Sequence, residues 1–208
     1  LNAPLRLVGR SRRFAPAAAL AAALCAALAA PALAQTGPKI GNCVIASHTQ
    51  CAHANLMRAQ LSRKNLDFAN LNGANLSNAN MVDTDLHNAH LHDASLLGAN
   101  MQRANLGTAD LSWSKMQGAN LQRASLFGAN LTNANLQGAN LSSANLLGAN
   151  LTNANLRGAI LFAAQMKGAK LQHTDFRGAT WLNGALCQEG SFGECKLTPP
   201  PVPAPAKK

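Results

Sequence analysis

From Leu56 to Leu186 an apolar residue stands at every fifth position without a break in register. The series opens Leu56, Leu61, Leu66, Leu71, Leu76, Met81 and closes Leu171, Phe176, Trp181, Leu186. Alanine stands two residues before most of these, as at Ala69, Ala74 and Ala79, and asparagine usually lies between, so the unit reads Ala-Asn-Leu-x-x. A period of five fits neither regular element. On an α-helix, five steps of roughly 100° turn each Leu about 140° away from the last, and no apolar face accumulates. On a strand, an odd repeat throws successive leucines to opposite faces. The chain must turn once per pentad, which predicts a solenoid.

The second residue after each apolar centre marks the turns. It is Gly at 73, 98, 118, 128, 138, 148, 158, 168 and 178, and Asn at 78, 88, 133, 153 and 183. Both residues tolerate positive φ, as the third residue of a type II turn requires. Leucine paired with alanine is also the size combination that a narrow core needs. The tandem Ala-(Asn/Asp)-Leu-x-x series resembles the pentapeptide repeat family. That resemblance implies an all-β fold, a right-handed quadrilateral β-helix with four pentads per square coil and about seven coils. It further implies that the central Leu and the small residue two before it point inward, and that the other three positions point outward.

Composition agrees with such a core. The 208 residues are 48% hydrophobic but only 4% aromatic, with alanine supplying much of the apolar share. The expected organisation is a signal peptide over 1–34, an N-terminal cap over 35–54, the repeats over 55–186, a C-terminal cap over 187–195 and a Pro/Ala-rich tail over 196–208. Arg6, Arg10, Arg12 and Arg13 form the basic start of the leader, Phe14 to Ala30 its apolar middle, and Ala32-Leu33-Ala34 its cleavage site. The formal charge of +10 includes those four arginines, so 14 basic and 8 acidic residues remain, a surplus of six. A periplasmic or secreted location follows, with no transmembrane span after cleavage.

Cys43, Cys51, Cys187 and Cys195 fall in two pairs of equal spacing, one before the repeats and one after. In an exported chain they read as disulfides. A stack of four-pentad coils rising about 4.8 Å each is roughly 30 Å long, too far for end-to-end bridging, which needs Cα atoms within about 7 Å. The expected pairs are Cys43–Cys51 and Cys187–Cys195. Cys43, His48, Cys51 and His53 also form a group of zinc-type ligands, but their spacing matches no zinc-finger pattern. No metal and no cofactor is expected.

Departures from the pentad template are the candidate sites. His87, His90, His92, Asp93 and Asp110 cluster with Trp113, and a twenty-residue coil stacks His90 on Asp110 and Asp93 on Trp113. His90, His92, Asp93, Asp110 and Trp113 form the candidate binding patch, because an exposed Trp among polar groups is a usual anchor. Phe127, Leu147 and Phe162 form a candidate apolar patch. Arg63, Asp83, Arg103 and Arg123 share one column, where opposite charges pair vertically and Arg103 with Arg123 offers an anion contact. The column Asn80, Asn100, Asn120, Asn140 either bonds along the axis or serves as turn chemistry. Lys64 sits at an inward small-residue position and predicts imperfect coiling of the first turn, whereas Ser112 to Met116 is expected to stay in the coil.

No phosphate loop, nucleophile elbow or spaced carboxylate pair is present, so the reading is non-enzymatic. The expected function is an exported scaffold of the bacterial cell envelope, a monomer or homodimer that presents flat faces to a protein or an envelope polymer. The resemblance offers a rival, because some pentapeptide repeat proteins act on DNA gyrase as acidic mimics of duplex DNA. The basic chain and its leader oppose that role. Direct binding of a polyanion is a third reading, with the charge too dilute for a nucleic-acid footprint.

Overall fold

A computed structural model describes residues 37–197. Of the two units into which the chain divides, Leu1–Ala34 and Gln35–Lys208, the description concerns the second. The leader over 1–34 and the tail from 198 onward lie outside the described residues.

Each pentad makes one turn. The amide of Ala59 donates to the carbonyl of Leu56 at 3.0 Å, and the same bond recurs along the repeats. From His48 to Gly178 the second residue after every centre has positive φ, whether glycine or not. Glycine is therefore not what creates a corner. The closed turn imposes the left-handed conformation, and Arg123 (φ 59) adopts it as Gly118 (φ 66) does.

Four such turns bring the chain back above itself. Asn55, Asn75, Ser95, Lys115, Asn135, Asn155 and Asp175 form one ladder of parallel bridges, each partner twenty residues on. Between coils the amide of Leu56 donates to Asn75 at 2.8 Å, while the amide of Asn75 returns to Ala54 at 2.9 Å. The centres from Leu56 to Leu161 are fully buried, as are most of the alanines between them. Burial of each leucine stabilises the fold by about 2 kcal/mol. Where a hydroxyl replaces the small alanine it finds a carbonyl, as Thr84 Oγ1 to Leu61 (2.8 Å) and Thr174 Oγ1 to Leu151 (2.7 Å). Ser114 likewise donates to Leu111, and the coil runs unbroken through Lys115 and Met116.

Lys64 departs from expectation. Its backbone keeps both bonds, to Leu61 and from Asp85, while its side chain is exposed. The first turn coils regularly, because the N-terminal edge leaves a long side chain a way out.

The ends are closed differently. At the N-terminus β1 (Lys39–Ile40) and β2 (Cys43–Val44) form an antiparallel hairpin. The Cys43–Cys51 disulfide, with Cα atoms 5.2 Å apart, ties it to the coil. Cys51 is itself a pentad centre, 3% exposed, with Thr49 at the small position and Gln50 bridged to Asn70. The coil thus begins earlier than position 55.

At the C-terminus parallel stacking gives way to antiparallel returns, Thr180 with Leu186, Asp175 with Phe192 and Cys187 with Leu197. Leu186 is consequently 58% exposed, although it keeps the five-residue register. The Cys187–Cys195 disulfide (Cα–Cα 5.1 Å) closes this cap, and Lys196 and Leu197 belong to it rather than to a free tail.

Candidate functional site

Outward positions on the four sides carry whatever chemistry the rod presents. The most elaborate group lies on the side that contains Leu91, Leu111, Leu131 and Leu151. His90 and Asp110 are bridge partners there. Their side chains form no ion pair, and Asp110 is engaged elsewhere. Its Oδ1 accepts the Ser112 hydroxyl (2.7 Å), the Ser112 amide (3.1 Å) and the Asn130 amide nitrogen (3.0 Å). Ser112 Oγ in turn lies 2.9 Å from His92 Nδ1. Since the single hydroxyl proton goes to Asp110, the Ser112 oxygen accepts from His92 Nδ1. The order His–Ser–Asp is not that of a nucleophile relay, where the imidazole sits between serine and carboxylate and takes the serine proton. Ser112, 8% exposed, was not a sequence candidate. Its only signal was its place between His92 and Asp110 in a twenty-residue frame.

Trp113 stands at the adjoining corner, 57% exposed with φ 62. Asp93 occupies the same corner one coil earlier and pairs with Lys115 at 3.4 Å. Both partners are more than half exposed, so the pair contributes little. His87 does not join this group. It belongs to the preceding side, where it lies so close over Gly107 that an added Cβ there would meet Nδ1 at 2.9 Å.

Of the apolar patch, Phe127 (54% exposed) and Phe162 (52%) are open, while Leu147 is half-buried. Leu147 and Phe127 are consecutive along one column, linked through the Gly128 amide to the Leu147 carbonyl at 2.9 Å. Phe162 lies on the neighbouring side, against Gly184.

In the arginine column, Arg103 grips Asp83 through Nε to Oδ1 (2.7 Å) and Nη2 to Oδ2 (2.8 Å). That hydrogen bond holds the Asp83 carboxyl below its usual range, with Arg63 adding a smaller pull in the same direction. Arg103 is thus committed to Asp83 rather than left beside Arg123 for an anion. The asparagine column mostly serves the turns, since Asn120 and Asn140 accept the amides two residues on. Axial amide bonds occur at the start of this column, from Asn80 to Gln60, and on another, from Asn155 to Asn135.

The zinc alternative loses its thiolates, because Cys43 and Cys51 are joined. Among the described residues no group of His, Cys, Asp and Glu is arranged to hold a metal ion. Among them, too, no helix is long and apolar enough to cross a membrane.

The model of pentapeptide repeats matches residues 69–107, 108–142 and 139–178, with eight copies. The chain belongs to the pentapeptide repeat family. Its fold is the right-handed quadrilateral β-helix of that family. Among pentapeptide repeat proteins of known structure, HetL from the cyanobacterium Nostoc sp. strain PCC 7120, involved in heterocyst differentiation regulation, is 26% identical. The match covers 67% of this chain and 84% of HetL with a TM-score of 0.39. A pentapeptide repeat protein from the thylakoid lumen of Arabidopsis thaliana is 31% identical over 58% of this chain and 66% of its own, with a TM-score of 0.36. QnrB1, a plasmid-mediated fluoroquinolone resistance protein, is 16% identical over 65% and 78%, with a TM-score of 0.40, a likeness of fold alone. No curated protein matches the chain.

Proposed function

We propose that this pentapeptide repeat protein is an exported, non-enzymatic scaffold of the cell envelope that presents flat solenoid faces to a protein or polymer partner. The observation that carries the reading is the disulfide at each end of the stack, Cys43–Cys51 and Cys187–Cys195. Such bonds persist in oxidising compartments and are rare where thiols are kept reduced. A non-enzymatic role is supported by Ser112, whose proton is committed to Asp110 rather than to a histidine base. On this reading the organisation is leader, cap, repeats, cap and tail.

The rival role as a gyrase-directed mimic of duplex DNA needs an anionic rod. Between Asp110 and Asp175 the chain carries Lys115, Arg123, Arg157, Lys167 and Lys170 and no acidic residue, which favours the scaffold.

The test is subcellular fractionation with thiol labelling, followed by affinity capture from envelope extract with the wild type, Trp113→Ala and Phe127→Ala. The reading expects envelope location, no labelled thiol in the folded chain and a partner lost in one of the two variants. A cytoplasmic chain with free thiols rejects it, and altered gyrase supercoiling in vitro would support the rival.

A further inference from the structure

Aromatic or β-branched residues stand at five left-handed corners in the first half of the rod: His48 (φ 56), His53 (φ 57), Phe68 (φ 53), Thr108 (φ 54) and Trp113 (φ 62). Aromatic and β-branched side chains are disfavoured there by contact between Cβ and the backbone. Four of the five are engaged within the chain, His53 lying over Gly73. The Phe68 ring stacks on His48 at 4.8 Å and 15°, and the Thr108 hydroxyl donates to Asn88 Oδ1. Trp113 makes no side-chain hydrogen bond or ring contact among the described residues and is 57% exposed. The closed turn imposes a positive φ at every corner, so Trp113 stands out by its exposed, unpartnered ring and not by its backbone.

The surface beside Trp113 narrows the ligand class. It is the only large exposed apolar residue on its side of the rod among the described residues. A protein partner is ordinarily anchored by several apolar or aromatic groups, and this side does not offer them. It offers instead a row of oriented polar groups, Ser112, Thr132 and Thr152, one per coil at about 4.8 Å. The Thr132 hydroxyl donates to Asn130 at 2.7 Å, and that of Thr152 to Asn150 at 2.7 Å with Gln172 Oε1 at 3.2 Å. Thr132 Oγ1 also accepts from Asn150 Nδ2 at 2.9 Å, so it keeps one open lone pair, and Thr152 Oγ1 keeps two. An aromatic face with negative π density attracts the C–H face of a sugar ring. Acceptors already fixed in place take sugar hydroxyls with little ordering cost.

We propose that this side is a glycan-binding surface, with Trp113 as the stacking platform and Thr132 and Thr152 as hydrogen-bonding rungs for an extended polysaccharide along the rod axis. The inference rests on the reading of the chain as a binding scaffold and names the polymer class.

The probes are insoluble cellulose, chitin and peptidoglycan sacculi, tested by co-sedimentation with the purified chain. Soluble chito-oligosaccharide is titrated against a Trp181→Phe background, so that emission reports Trp113 alone. The expected result is retention on at least one polysaccharide and a shift of Trp113 emission, with retention falling at least about tenfold in Trp113→Ala. Trp113→Tyr keeps most of it, and the double variant Thr132→Val with Thr152→Val weakens it several-fold. Circular dichroism of each variant checks that the fold is intact. Retention on none of the three, or retention unchanged in Trp113→Ala, overturns the proposal. A captured protein that depends on Trp113, without polysaccharide retention, leaves the scaffold reading standing and removes the glycan. Trp113-dependent retention by a cytoplasmic chain with free thiols does the reverse.

Discussion

The guanidinium carbon of Arg177 sits 4.7 Å from the centroid of the Phe192 ring, so a cation–π contact joins the last regular coil to the segment that caps it. The same guanidinium forks onto Asp175 at 2.9 and 2.6 Å, and Asp175 is the bridge partner of Phe192. Coil and cap are thus locked by one charged group that three neighbours share, Glu189 being the third at 3.8 Å.

This lock is acid-sensitive. The hydrogen bond from Arg177 holds the Asp175 carboxyl below its ordinary value of 3.8; burial opposes the shift, and the Arg177 amide with the charges of Arg177 and Arg157 assists it. A folded-state value below the unfolded one stabilises the fold when the group is ionised. The contribution is complete above 3.8 and is lost as pH falls through the lower folded value. Hydrogen exchange at Phe176 and Cys187, whose amides bond across the cap, is expected to lose protection in that window after correction for intrinsic rates. Asp175→Asn should have lower protection already at neutral pH and little further loss in acid. Equal protection of both forms at neutral pH contradicts the lock.

Two glycine corners separate conformational strain from crowding. Gly138 (φ 67) has open space where a Cβ would go, so Gly138→Ala tests the left-handed backbone alone, with an expected loss of about 1 kcal/mol. At Gly73 (φ 63) the new Cβ would collide with His53 Nδ1, so Gly73→Ala should destabilise more. Adding His53→Ala should return it to the Gly138→Ala level. Denaturant midpoints of the three variants decide the matter, and equal losses in the two single variants would remove the role of His53.

The centres are fully buried from Leu56 to Leu161, so a mid-stack truncation is felt in full. Leu126 is fully buried between Ala124 and Ala129. Leu126→Ala is expected to cost about 2–5 kcal/mol in chemical denaturation. A loss below 1 kcal/mol would show that neighbouring coils close the void.

Cys51 has two roles, as a pentad centre and as half of a disulfide. Reducing the Cys43–Cys51 bond is expected to cost about 2–3 kcal/mol, the loop-closure value for so short a ring. The opening should begin at the first coil, read by hydrogen exchange at Cys51 and Asn70. The double variant Cys43→Ala with Cys51→Leu loses the cross-link but keeps an apolar centre, and is expected to be more stable than Cys43→Ser with Cys51→Ser. Equal stability of the two double variants would show that packing at position 51 is unimportant.

Much of the fold was legible in the sequence because the pentad is a local device. Leu, Ala and a turn suffice to specify it, so the turn once per pentad could be read from spacing. The inward positions and the twenty-residue stacking followed from the family resemblance, and with them both cysteine pairs. Leu186 keeps the register yet turns outward, because the chain returns antiparallel on Thr180 there instead of stacking as another coil. Cys51 escaped notice as a centre because its residue type pointed to the bridge alone. On the surface, the stacking of Asp93 under Trp113 was legible, whereas His87 fell on another side and Ser112 was missed.

The five-residue period by itself determined that this chain is a solenoid with a leucine and alanine core, since each pentad carries its own turn and its own apolar residue. Its four sides followed from the resemblance to the pentapeptide repeat family. Tertiary structure decided which outward side chains meet. The chain from His92 through Ser112 to Asp110, the grip of Arg103 on Asp83 and the contact of Arg177 with Phe192 depend on how side chains from different coils or segments lean toward one another. A repeat that is nearly identical in every coil cannot encode those contacts, and at the C-terminal cap, where the chain returns antiparallel instead of stacking, the period predicts a coil that does not form.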